Sequence, residues 1–166
     1  MRWKTVSIAV VVFFAATVML NACADLQAEK EQKIALIEKY TELWNTGNFD
    51  GITDVIAEDF ELKFSHLNRV LIGEGDLINI ISVFRSNYQD FYVEILDVCI
   101  DGDEGAIRYA ISATNNNEVK IKGDGVSYIY FADGKVSKIW SNNNDLSWNI
   151  QEGMVLVWPE EEIAPE

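Results

Sequence analysis

The chain contains one histidine, His66, in the segment Phe64-Ser65-His66-Leu67-Asn68. Imidazole titrates nearer neutral pH than any other side chain, so His66 is a candidate general acid or ligand-orienting donor. Its competing use is that of an ordinary loop histidine. Arg108 is the next candidate. It lies mid-run, with Ala106, Ala110, Ser112 and Thr114 on its own face and Ile107, Tyr109 and Ile111 on the other. A guanidinium placed there either holds a ligand carboxylate in a pocket or pairs with an acid on a dimer face. Metal binding is not expected. One histidine and two distant cysteines, Cys23 and Cys99, have no metal spacing, and Asp101-Gly102-Asp103-Glu104 lacks the later glutamate of a calcium loop. With no nucleophile elbow, phosphate loop or dinucleotide fingerprint in the sequence, no cofactor is implied.

Cys23 offers a different chemistry. Arg2 and Lys4 precede an uncharged stretch from Thr5 to Leu20, and Leu20-Asn21-Ala22-Cys23 follows. Basic residues ahead of an apolar segment are the layout of a secretion signal. The closing tetrapeptide resembles a bacterial lipobox, whose cysteine takes a diacylglycerol on sulfur. Asn21 departs from that pattern, and cleavage after Ala22-Cys23-Ala24 is the alternative. Residues 1–22 are thus expected to be a signal peptide and residues 23–32 a lipidated cysteine with a polar tether. Residues 33–153 form one domain and residues 154–166 an acidic tail. Ala24 after the cysteine favours the outer membrane, within a bacterial envelope; a secreted or periplasmic soluble protein is the alternative. The full chain has Lys+Arg 13 and Asp+Glu 27; without Arg2 and Lys4 the balance is 11 − 27 = −16. Such a charge repels nucleic acid and anionic head groups, so only a lipid anchor is expected to touch the membrane. Cys99, in an apolar run, reads as a small buried hydrophobe.

Helices come early in the domain and strands late. Ile34, Ile37, Tyr40, Leu43 and Trp44 recur three or four apart and form one apolar stripe, which Asn45-Thr46-Gly47-Asn48 ends. A short helix is expected over 49–56, a strand over 59–64 and a helix from Gly73 to about Tyr88. Strands follow over 91–100, 104–114, 119–131 and 135–143, with Asp133-Gly134 forming a tight hairpin. A last helix runs from Leu146 to Gln151. This order argues for an α+β fold, a curved antiparallel sheet packed on one side by helices.

Several local matches, in this order, resemble the SnoaL-like branch of the nuclear-transport-factor-2-like superfamily. They are Trp44-Asn45-x-Gly47-x-x-Asp50, Asp59-Phe60, Gly73-x-Gly75 and Phe84-x-x-x-Tyr88-Gln89-Asp90-Phe91. Gly102-Asp103, Arg108, Phe131-x-Asp133-Gly134-Lys135-Val136, Trp140, Gln151 and Gly153 complete them. The resemblance spans residues 33–153 and implies a cone with an apolar pocket, usually in a homodimer. Its enzymes include polyketide cyclases and isomerases in which a pocket aspartate removes a proton beside a carbonyl. Counting from Trp140 or back from Gly153, that position is Asn144, and an amide cannot accept a proton near neutral pH. Neighbouring Asp145 reaches the pocket only through a bulge, since on a regular strand it points away; its plain use is as the N-cap of the last helix. Family members also carry a pocket histidine after the first strand, which points to His66. Trp140, Asn144, Arg108 and Tyr128 are candidates for the pocket wall, with core packing the alternative for Trp140 and Tyr128.

Three functions compete on this reading. A non-catalytic domain binding a small apolar ligand or an envelope protein ranks first, because the base position is an amide. A purely structural dimer ranks second, and an isomerase or cyclase using Asp145 or His66 third.

Overall fold

The computed structural model describes residues 3–155, with side chains from Ala24 onward. The Cys23 side chain, the rest of the signal segment's side chains and the tail beyond Val155 lie outside the described residues. Helix α1 runs Trp3–Thr46, α2 Ile52–Val55, and strands β1 and β2 are Ile56–Phe64 and Leu71–Ile72. Helix α3 is Gly73–Asn87. Strands β3 (Tyr92–Asp101), β4 (Glu104–Thr114), β5 (Lys120–Ala132) and β6 (Lys135–Asn143) precede α4, Asp145–Gln151. Among the described residues no helix is long and apolar enough to cross a membrane.

The stripe on α1 becomes the core: Ile37, Tyr40, Leu43 and Trp44 are buried against the sheet. Gly47 ends the helix in the left-handed conformation (φ 66°), its N–H donating to the Leu43 carbonyl at 2.9 Å. Helix α2 is shorter than the spacing predicts, because Gly51 (φ 76°) holds the chain out of the helical region until Ile52.

The six strands form one curved sheet in the order β2-β1-β6-β5-β4-β3. Four junctions are antiparallel; β1 and β6 run parallel, with Phe64 beside Ser141. That junction is the departure from an all-antiparallel sheet. Asp133 and Gly134 both have positive φ, 51° and 72°, as a two-residue hairpin between β5 and β6 requires. Alternation then sorts the strands into a helix-facing and an outer side. Phe60, Leu62, Ile129, Val136 and Ile139 are all at or below 1 % exposure on the helix side.

Cys99 differs from expectation. The β3–β4 register shifts between Ile95 and Asp97, so Val98 and Ile100 take the inward side and Cys99 is exposed. A bulge of this kind reverses the phase of every residue after it.

One end of the sheet is fastened to α1 by Lys33. Its Nζ donates to Glu29, to the Gly102 carbonyl (2.7 Å) and to Asp103 Oδ1 (2.9 Å). Burial of this ammonium works to lower its pKa, but the Glu29 and Asp103 carboxylates outweigh that and leave it raised. At the other end of the sheet the interior is left partly unfilled.

Candidate functional site

The open end holds two adjoining cavities. The inner one, about 60 Å³, is walled by rings from α1, α3 and β1 together with Tyr109, Ser127, Ser141 and Asn143 of the sheet. Trp44 anchors it, packing edge-on against Phe64 and Phe84 with centroids 6.3 and 5.8 Å away. The outer one, about 370 Å³, shares Phe84, Phe91, Ile111 and Asn143 with it and is closed by α4. The inner void exceeds the volume needed to hold one water, so the cone is not filled by its own aromatic side chains.

Glycines make part of this space. On β5, Gly123 and Gly125 face inward with Ile121 and Ser127. A Cβ on Gly125 would lie 2.5 Å from the Tyr109 hydroxyl, and one on Gly123 would lie 3.1 Å from Trp148. Bare backbone therefore seats both rings. The Tyr109 hydroxyl donates to Asn143 Oδ1, and Ser127 and Ser141 Oγ lie 2.6 Å apart behind it. Burial pushes the Tyr109 phenol pKa up, so it remains a neutral donor.

His66 and Asp145 meet on the wall of the outer cavity: Nδ1 to Oδ2 is 2.6 Å. The parallel β1–β6 pairing is the cause. Two strands running the same way deliver their C-terminal ends to the same edge, so residues far apart in sequence emerge side by side. The Ser65 N–H donates to the Ser141 carbonyl at 2.9 Å, continuing that pairing to the residue before His66. The imidazole stacks on Phe64, with centroids 5.7 Å apart. Because a carboxylate can only accept, the 2.6 Å contact requires the Nδ1 proton and leaves Nε2 for a second partner.

Asn144, not Asp145, caps α4. Its Oδ1 accepts from the Ser147 N–H at 3.3 Å, and its own N–H donates to the Asp124 carbonyl at 3.0 Å. The strand has already ended at Asn143, so Asp145 becomes the first helical residue and turns to His66 without a bulge. Helix α4 is held down by Gln151, which accepts from the Lys122 N–H and donates to the Lys122 carbonyl at 2.9 and 2.7 Å. Trp148 adds an edge contact to Tyr88 (5.2 Å) and donates to its hydroxyl, which in turn donates to Glu152.

Three candidates stand elsewhere. Trp140 and Tyr128, paired across β6 and β5, are 50 % and 48 % exposed on the outer face of the sheet. Arg108 is on that face too, its Nε and Nη2 donating to Asp97 at 2.7 and 2.6 Å. The inward positions are Tyr109, Ser127, Ser141 and Asn143, which the sequence does not single out because nothing there reveals which face meets the void. Among the described residues no group of three or more His, Cys, Asp or Glu side chains could hold a metal ion.

A bent sheet wrapped over helices around an end-on cavity is the architecture of the nuclear-transport-factor-2-like superfamily. The SnoaL-like domain family model matches residues 37–139, and the chain belongs to that family. Solved structures agree in fold. A candidate polyketide cyclase from Bacillus cereus superposes with a TM-score of 0.66 at 21 % identity, covering 75 % of this chain and 83 % of that one. AclR, a candidate hydroxylase from Streptomyces galilaeus, gives 0.65 at 19 % identity over 79 % and 90 % of the two chains. TsrD from Streptomyces laurentii gives 0.67 at 15 % identity over 74 % and 96 %. No curated protein sequence matches the chain.

Proposed function

We propose that the protein binds a small organic molecule across the two cavities and that His66, oriented by Asp145, moves a proton on it. The observation that carries this reading is the 2.6 Å contact between the two side chains on a cavity wall. An imidazole fixed by a carboxylate, with Nε2 left for a second partner, has the arrangement of a general base. The reaction class is proton abstraction beside a carbonyl, as in an isomerase or cyclase. Asn144 then needs no basicity, since it caps α4 while the proton is handled one residue on.

The test is deuterium uptake at the acidic carbon of 2-tetralone in D₂O, followed by NMR. The full chain is expected to accelerate exchange over buffer, and His66→Ala with Asp145→Asn to lower that acceleration about 10²–10⁴-fold. Exchange at the buffer rate, or unchanged in the double variant, would sink the catalytic role. A non-catalytic ligand-binding domain is the second reading, favoured by the amide of Asn144 at the position where the resemblance implies an aspartate base.

We further propose a lipid on Cys23, an envelope location and a homodimer joined through the Trp140–Tyr128 face. Motivation for the anchor is the sequence of residues 1–24, and for the dimer the exposed aromatic pair. Loss of detergent-phase partitioning in Cys23→Ser tests the anchor. Sedimentation of Trp140→Glu, expected to run as a monomer, tests the interface.

A further inference from the structure

We propose that Asn143 holds the carbonyl oxygen of the ligand, its amide N–H groups donating where the two cavities join. Resting on the cavities' being a ligand site, this names the residue that fixes the ligand's orientation in them.

A row of three strand positions builds the donor. Tyr109 of β4 pairs with Gly125 of β5, and Gly125 pairs with Asn143 of β6. With no side chain on the middle strand, the Tyr109 hydroxyl crosses β5 and donates to Asn143 Oδ1. In the neighbouring inward row Ser127 and Ser141 are partners, with their Oγ atoms 2.6 Å apart.

Counting protons fixes which end of the amide is spent. One serine hydroxyl donates to the other, which leaves one serine proton over. Burial pushes the Tyr109 pKa up, while hydrogen bonds from Ser127 and Ser141 work to lower it, so that proton goes to the Tyr109 oxygen. Tyr109 then gives its own proton to the amide oxygen. Nδ2 keeps both hydrogens and has no partner among the described residues. Among those residues no sealed-in side-chain nitrogen or oxygen is unpaired, so Nδ2 is reached from the cavities, both of which Asn143 lines. Its neighbours in the run are used elsewhere: Asn142 accepts from the Ser65 hydroxyl at 3.0 Å, and Asn144 caps α4.

An unspent N–H pair on a wall made mostly of rings is matched by a hydrogen-bond acceptor. That acceptor is uncharged. Among the described residues no lysine or arginine lines either cavity, and a carboxylate would approach Asp145 and Glu152 on the outer wall. Tyr40 of α1 brings another hydroxyl to the inner wall, kept neutral by burial, which pushes its pKa up. The inner void has room for a few heavy atoms only, which suits an acetyl head. The rest of the molecule then lies in the outer cavity, on whose wall His66 stands.

The test compares 4-phenyl-2-butanone with 2-methyl-4-phenyl-1-butene, in which a methylene replaces the carbonyl oxygen. Each is titrated by calorimetry at pH 8 into the full chain in detergent, with protein-free detergent as the blank. Both are expected to bind. Asn143→Asp keeps an acceptor for the Tyr109 hydroxyl and removes the N–H groups. It is expected to weaken the ketone about tenfold and to leave the alkene within about twofold. If the ketone fails to bind where the alkene does, or loses no more than the alkene in the variant, the role of Asn143 is overturned while the cavities remain a ligand site. If neither compound binds the unaltered protein, the ligand-site reading and this one both fall. Should Asn143→Asp fail to fold, the carbon-13 resonance of the labelled carbonyl on the unaltered protein decides. A bound signal downfield of its position in hexane supports the hydrogen bond, and a signal at the hexane position overturns it.

Discussion

The two ends of the sheet are built on different principles. At the closed end, around the β3–β4 and β5–β6 turns, apolar side chains fill the space and Lys33 ties α1 to Gly102 and Asp103. At the open end the space is left free, and side-chain hydrogen bonds hold its edges, accepted by Asn144 and Asp90 and donated by Gln151 and Trp148. One end sets how stable the domain is; the other sets what it can hold. Burial is close to additive in area, whereas a polar rim depends on each bond being made.

The contrast breaks first if its largest difference fails. Phe60→Ala, at 0 % exposure in the filled half, is expected to cost about 3–5 kcal/mol. Ile150→Ala on α4, exposed at 45 %, is expected to cost under about 1 kcal/mol. Equal costs in urea denaturation would mean that α4 belongs to the core. Gly125→Ala comes next. Its Cβ would strike the Tyr109 hydroxyl, and overpacking of this kind costs about 1–3 kcal/mol. A crystal structure of that variant is expected to show Tyr109 displaced and the inner void reduced.

A smaller effect separates the ends by pH. The Thr114 hydroxyl and N–H both donate to Asp90, and this hydrogen bonding, led by the hydroxyl, holds the Asp90 pKa below 3.8. A depressed carboxylate pKa adds stability that is present above the ordinary value and lost as pH falls through the folded one. Asp90→Asn is therefore expected to flatten the acid limb of the stability profile below that value and leave neutral pH as the place where the variant is weaker. Denaturant midpoints at pH 7 and pH 3 check this. The smallest change belongs to Arg108. Its pairing with Asp97 is exposed, so Arg108→Ala is expected to shift stability by less than about 0.5 kcal/mol and to leave ligand binding unchanged.

The closed end was legible in the sequence because apolar period and turn chemistry dictate it. The α1 stripe, the four long strands and the Asp133-Gly134 hairpin all follow from residue type alone. The open end was legible only in part. His66 and Asp145 could be named, but their contact depends on β1 pairing parallel with β6, a long-range choice with no local signal. Asn144 and Asp145 exchanged expected roles because the strand ends one residue before the cap, at Asn143. Trp140, Tyr128 and Arg108 stand outside because alternation fixes which residues share a face but not which face meets the void. Cys99 was misplaced by a single bulge. Gly123 and Gly125, which make room for two rings, carry their message only once those rings are seen.

The Lys33 latch gives the molecule a direction. In α1, Cys23 lies ten positions before Lys33, about 15 Å along the axis. Lys33 grips the closed end, and from there β5 runs from Ala132 back to Gly123, about 30 Å of strand. With a lipid on Cys23 and this helix unbroken, the filled end would face the bilayer and the cavity mouth would open on the far side, toward whatever the compartment brings to it.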